Sequence, residues 1–187
     1  IDNLTKLESL HINGQIVGGA LPDTISRLEN LITLSVIDTN LTVFPQIYSL
    51  TDLDVSNNPI RELPDVFSNF KNLTALDLSE TNISSVPDSF TTLSSLKNLS
   101  FMNVTLEDFD FLKYFTNLIN LNLEDSLTLR EIPDSIRNLT NLEYLAIGEN
   151  NIDGEIPDFI SNLTRLDYLD LHDNNITKIP DSFVENL

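Results

Sequence analysis

"LEYLAIGENNIDGEIP", residues 142–157, alternates apolar and polar side chains, passes two asparagines, turns at Gly154 and stops at Pro157. Alternation with a period of two marks a short strand. The same order returns in "LDYLDLHDNNITKIP", residues 166–180. A fixed period outranks any element-by-element reading, because repeated units must share one architecture. With Leu142 as position 1, the frame L-x-x-L-x-L-x-x-N-x-L begins at Leu7, Leu31, Leu50, Leu73, Leu96, Leu118, Leu142 and Leu166. Spacings between successive starts are 24, 19, 23, 23, 22, 24 and 24 residues. Positions 4 and 6 are apolar in each unit, from Leu10 and Ile12 to Leu169 and Leu171.

A second apolar pattern follows the strand at i, i+4 and i+7. It is carried by Leu21, Ile25, Leu28; Leu63, Phe67, Phe70; Val86, Phe90, Leu93; Ile132, Ile136, Leu139; and Ile156, Ile160, Leu163. The spacing predicts one or two turns of helix or 3₁₀ structure. Each run has proline second and aspartate third, which places proline at the first helical position with φ preset and a carboxylate near the positive end.

One unit of about 23 residues buries too few apolar side chains to offset the entropy of ordering its backbone. Stacking covers each buried face from both sides and yields a solenoid with a curved parallel sheet. On these residues the chain resembles leucine-rich repeat proteins over essentially its whole length. Val17, Gly19, Leu21 and Pro22, and Ile152, Gly154, Ile156 and Pro157, are similar to the plant-type L-x-G-x-[IL]-P variant. "IRELP" (60–64), "ISSVP" (83–87) and "ITKIP" (176–180) resemble the shorter form. The resemblance implies an α/β solenoid: a right-handed horseshoe with a parallel β-sheet on its concave face and short helical or 3₁₀ turns on its convex face.

It also implies an asparagine ladder at position 9. Asn58, Asn150 and Asn174 fit; Gln15, Thr39, Thr81 and Ser126 carry atoms for part of that work, and Val104 carries none. The Leu31 unit is short and the Leu96 unit lacks its proline, so altered curvature is expected there.

No linker or charge block interrupts the repeat, so residues 1–187 read as one array. Terminal coils need polar covers; Ile1 and Leu187 fall inside coils, and the expectation is a piece of a longer chain. There is no cysteine, hence no internal disulfide, and no stretch of membrane-spanning length. A net charge of −19 argues against nucleic acid or an anionic membrane as partner, since both demand basic surface.

Of the 29 acids, six are aspartates after proline: Asp23, Asp65, Asp88, Asp134, Asp158 and Asp181. Thirteen fall at strand positions 2, 3, 5, 7 and 8, facing the concave side, where Lys97 is the one Lys or Arg. Those acids have two readings: surface acidity that aids solubility, or a face for a basic ligand. Among them stand Ile32, Ile37, Met102, Ile119, Tyr144 and Tyr168, expected to be exposed, with His11 and His172. Apolar anchors amid charge suit a protein interface. The candidate binding residues are Tyr144, Tyr168, Asp170 and His172, with Asp54, Asp77, Asn122, Lys97, Met102 and Ile119 along the same face. Tyr144 and Tyr168 share one position in successive coils and should stack.

"ENNIDGEI" (149–156) imitates an EF-hand loop, but Pro157 interrupts it and Ile160 stands where a bidentate glutamate belongs. The two histidines lie in coils at opposite ends and cannot share an ion. No metal, cofactor or catalytic constellation is expected. The resulting reading is a non-enzymatic module, extracellular or at the cell surface, that binds a protein or peptide, a basic one on the second reading of the acids. The alternatives are a structural adhesin or self-assembling fibre component, and the recognition part of a receptor kinase or effector enzyme. Nine N-x-S/T sequons begin at Asn3, Asn40, Asn72, Asn82, Asn98, Asn103, Asn138, Asn162 and Asn175. Either they fall out of the repeat consensus or they carry glycans in a secreted chain. Asn40, Asn82 and Asn175 are expected on coil edges, and Asn98 on the strand face, where a glycan would block binding.

Overall fold

Positions 3 to 5 of each unit form a three-residue strand, and the loops between them return the chain to the next coil. The computed structural model describes residues 3–16 and 18–184; Ile1, Val17 and Leu187, used in the sequence reading, lie outside them. The strands are β1 (Ser9–His11), β2 (Thr33–Ser35), β3 (Asp52–Asp54), β4 (Ala75–Asp77), β5 (Asn98–Ser100), β6 (Asn120–Asn122), β7 (Tyr144–Ala146), β8 (Asp153–Glu155), β9 (Tyr168–Asp170) and β10 (Asn175–Lys178). Eight of them make one sheet in the order β1-β2-β3-β4-β5-β6-β7-β9, and β8 pairs with β10 in a second. All pairs are parallel, and the position-4 leucines align rung by rung, Leu34 on Leu53 on Leu76 and onward to Leu145 on Leu169. The second sheet uses the residues around Gly154, which therefore form strand and not a calcium loop.

Each coil leaves its strand through a left-handed residue at position 8: Gly14, Asp38, Asn57, Glu80, Asn103, Asp125, Glu149 and Asp173, with φ between 48° and 67°. Asn and Asp tolerate this conformation better than other side chains because they bond locally. The acids at this position are thus partly explained by backbone geometry; Glu80 and Glu149 are not.

Below that turn lies the ladder. Asn58 Oδ1 accepts from Thr39 N at 3.1 Å and Leu41 N at 2.8 Å, while its Nδ2 donates to Val36 O, Val55 O and Ser56 O. Asn150 and Asn174 repeat the arrangement. Thr81 Oγ1 donates to Leu78 O, and Ser126 Oγ donates to Val104 O at 2.8 Å, supplying the rung that valine cannot. Gln15 does not behave as expected. It is exposed, and Asn13 reaches the next coil in its place, its Oδ1 accepting from Ser35 Oγ at 2.9 Å and Ile37 N at 3.1 Å. A further ladder, absent from the sequence reading, runs just before position 1: Asn30 donates to Thr5 O, Asn117 to Ser94 O and Asn141 to Thr116 O.

The returns are 3₁₀ turns at Asp23–Arg27, Phe67–Asn69, Asp88–Thr92, Asp110–Tyr114, Asp134–Ile136 and Asp158–Asn162; only Asp181–Val184 is α-helical among the described residues. Pro22, Pro87, Pro133 and Pro157 sit one residue earlier than expected, extended at the cap position with ψ from 129° to 161°, and the following aspartate opens the turn. Asp65 is outside its turn, and its Oδ1 accepts from Ser89 N of the next coil at 3.1 Å. The short Leu31 coil passes from β2 to β3 without a helical turn and buries Phe44 and Ile47 directly. In the Leu96 coil, Asp108 Oδ1 accepts from Asp110 N at 2.9 Å and replaces the missing proline as the start signal.

Between sheet and returns runs a file of phenylalanines. Phe90, fully buried, meets Phe67 at 4.8 Å and Phe111 at 5.7 Å, both edge-on, the geometry in which ring quadrupoles attract. No described side-chain nitrogen or oxygen is buried without a hydrogen bond. No described helix is long and apolar enough to cross a membrane.

Candidate functional site

Side chains at positions 3 and 5 of β1 to β7 line an open groove of about 480 Å³ along the concave sheet, with Asp52, Asp54, Asp77, Asn122 and Tyr144 on its walls. Position 5 has a local role as well. Asp54 Oδ1 accepts from Ser56 N at 3.0 Å, Asp77 Oδ1 from Ser79 N at 2.9 Å, Asn122 Oδ1 from Glu124 N at 2.9 Å and Asp170 Oδ1 from His172 N at 3.0 Å. One oxygen thus holds the strand exit in each coil, while Asn122 Nδ2 donates to Glu124 Oε2 and Asp170 Oδ2 accepts from Tyr168 Oη. Asp54 and Asp77 are register partners on β3 and β4. Burial pushes the Asp77 carboxyl above its ordinary pKa, against the bonds from Ser79, and the charges of Asp54 and Glu80 add to the rise.

The second part of the site lies at the last strands. Tyr144 and Tyr168 stack with centroids 4.4 Å apart and planes 2° from parallel. Tyr168 Oη donates to Asp170 Oδ2 at 2.9 Å, and Asp170 Oδ1 meets His172 Nδ1 at 2.7 Å. The other ring nitrogen, Nε2, lies 3.3 Å from Glu149 Oε1. Hydrogen bonding to Asp170, then its charge, pushes the Tyr168 hydroxyl up to about 12. Asp170 is held below its usual range by the backbone and ring of His172, and His172 is raised by Asp170 and then Glu149. Burial, then the Glu124 charge, raises Tyr144.

The structure therefore joins Tyr144, Tyr168, Asp170 and His172, and strings Asp54, Asp77 and Asn122 along the neighbouring groove. It separates the others. Lys97 and Ile119, at position 2, line an edge groove of about 640 Å³ with Asn117, Asn141 and Arg165, so Lys97 is not the one cation at this margin. Ile37, Met102, Ile119 and Tyr144 are half-buried instead of exposed, whereas Ile32 and Tyr168 are 42% and 44% exposed. His11 and His172 are at opposite ends of the sheet. All nine sequon asparagines are exposed, and Asn98 accepts a bond from Asn120 Nδ2 on the strand face.

Sequence reasoning missed Gly148 and the roles of Glu124 and Glu149. A β-carbon on Gly148 would lie 2.2 Å from His172 Nδ1, so the glycine makes the seat for that ring. The signal was available: position 7 reads Glu124, Gly148, His172 in three successive units.

A sequence model of the "Leucine rich repeat" family matches residues 48–103, 116–176 and 140–186. No curated protein matches the chain in sequence at a significant level. Among solved structures, internalin C2 (inlC2) from Listeria monocytogenes str. 4b F2365 is similar with a TM-score of 0.81 and 22% identity, over 96% of this chain and 77% of that one. The internalin inlF from the same strain gives 0.70 and 23%, over 95% of this chain and 58% of that one. The plant peptide hormone receptor RGFR1, solved in complex with RGF2, gives 0.76 and 30%, over all of this chain but 32% of the receptor. The chain thus spans little more than half of inlF and about a third of RGFR1. The eight-rung parallel sheet, its 3₁₀ returns and a family match over more than half of the residues agree: the chain belongs to the leucine-rich repeat family.

Proposed function

We propose that this array is a non-enzymatic recognition module, secreted or at the cell surface, that holds a protein or peptide along its concave sheet with basic side chains against Asp54, Asp77 and Asp170. The observation that carries the reading is the open groove on β1 to β7, continued by the stacked tyrosines and the Asp170 carboxylate at β9. A flat aromatic pair beside carboxylates suits an arginine or lysine stem, which packs on a ring while its charge is met at the edge. Charge on this face would steer association more than it sets affinity. The likeness to the peptide hormone receptor RGFR1, whose structure contains RGF2, supports a peptide as occupant.

The test is a display screen of extended peptides bearing arginine or lysine, followed by titration of a selected peptide against Asp54→Lys, Asp77→Lys and Asp170→Lys. Each reversal should weaken binding by about tenfold or more, and the parent affinity should fall with added salt. Affinity unchanged in all three would remove the acidic-face reading.

Glycosylation belongs to the same reading. Asn40, Asn72, Asn82, Asn138, Asn162 and Asn175 are exposed and outside the concave groove, so glycans there would leave the sheet open. Secretory expression followed by glycosidase treatment should lower the mass at these sites; an unmodified secreted product would remove the glycan part alone.

A further inference from the structure

We propose that Glu124, Asp170 and His172 form a binding site for a divalent transition-metal ion of the zinc class. Strands in a sheet are about 4.8 Å apart, and Glu124 and His172 follow β6 and β9, which flank β7. Their backbones are thus two rungs apart, on the order of 10 Å, yet one ligand atom from each of Glu124, Asp170 and His172 falls within 4.8 Å of the others.

Two small residues of the middle coil make this approach possible. Position 5 reads Asn122, Ala146, Asp170, and position 7 reads Glu124, Gly148, His172. Ala146 and Gly148 are buried, and the His172 ring lies over Gly148, where a β-carbon would fall 2.2 Å from Nδ1. Two carboxylates and an imidazole from the coils on either side of β7 thus meet beside a middle coil that carries only an alanine and a glycine at those positions.

Each candidate ligand also has a partner that orients it. Asn122 Nδ2 donates to Glu124 Oε2 at 3.2 Å, Tyr168 Oη donates to Asp170 Oδ2, and Glu149 Oε1 faces His172 Nε2. With Nδ1 toward the ion, Nε2–H donates to Glu149, the carboxylate–histidine arrangement that fixes a ligating ring. The ion would replace the direct contact between Asp170 Oδ1 and His172 Nδ1 at 2.7 Å and would offset the repulsion among three neighbouring acids. An imidazole in the set favours zinc, cobalt or nickel over calcium and magnesium, which prefer oxygen alone. Three protein ligands leave a coordination position open. The two histidines are too far apart to share an ion, but one histidine meets carboxylates from its own and another coil.

The test needs no peptide, so its outcome is separate from that of the recognition reading. The chain is treated with chelator, dialysed into non-coordinating buffer and titrated with ZnCl₂ by calorimetry, then with CoCl₂ by visible absorption. The expected result is one equivalent bound, a cobalt band, and no displacement by a tenfold excess of CaCl₂. His172→Gln and Glu124→Gln should each weaken binding at least about tenfold, Glu149→Gln about tenfold, and His11→Gln not at all, with circular dichroism unchanged. No binding, parent-like binding in both His172→Gln and Glu124→Gln, or displacement of zinc by calcium would overturn the proposal.

Discussion

Gly148 and His172 share one space: a β-carbon added to the glycine would fall 2.2 Å from Nδ1 and 2.4 Å from Cε1 of the ring. The histidine is therefore seated by the absence of a side chain in the preceding coil. Gly148→Ala is expected to push the imidazole away from Asp170 and Glu149. The displaced atoms belong to an exposed side chain, so the unfolding free energy should stay within about 1 kcal/mol of the parent. Nuclear Overhauser contacts of the His172 ring report the displacement, and parent-like contacts would show that the ring does not lie over Gly148.

Asn58 is 2% exposed, and its amide bonds to Thr39, Leu41, Val36, Val55 and Ser56. Removing it strands buried backbone groups of two coils at once. Asn58→Ala should cost about 2–5 kcal/mol in urea unfolding. Asn82→Ala, at an exposed asparagine, should change stability by no more than about 0.5 kcal/mol. Similar losses at both positions would deny the ladder its role.

Asp77 makes a pH-dependent contribution whose sign follows from its raised pKa. Its ordinary value is 3.8, so the folded chain holds the proton more tightly than the unfolded one. Stability falls as pH rises from 3.8 through the higher folded value, and that loss persists at neutral pH. Asp77→Asn keeps an oxygen for Ser79 N–H, as Asn122 does for Glu124 N–H. The variant should melt above the parent at pH 7 and level with it at pH 3. A variant that melts lower by the same margin at both values would contradict this.

Phe90 contacts Phe67, Phe101, Phe111 and Phe115. Phe90→Ala should cost about 3–5 kcal/mol. Coils in a solenoid lean chiefly on their neighbours, so faster amide exchange should concentrate between the strands at Asp52–Asp54 and Asn120–Asn122. Uniform acceleration from end to end would show that the array unfolds as one unit.

The strands, the returns and the stacking order were legible because each repeats a local pattern that a neighbour must match. Tyr144 against Tyr168 followed from the same frame. Gln15 was a poor choice because frame position alone does not tell that Asn13 reaches across instead. Lys97 and Ile119 were assigned to the groove by spacing, but position 2 precedes the strand and turns toward the edge. The proline offset escaped because the apolar period locates a turn without distinguishing its cap from its first residue.

Sequence alone determined the period, and with it the parallel sheet and the buried leucines, since apolar spacing acts within one coil and its image in the next. Tertiary structure decided which polar groups meet. Glu124, Gly148 and His172 come together because three coils stack and the middle one has no side chain to keep the outer two apart. Such a meeting depends on distance across the stack and on an empty volume, and neither is a property of any one repeat.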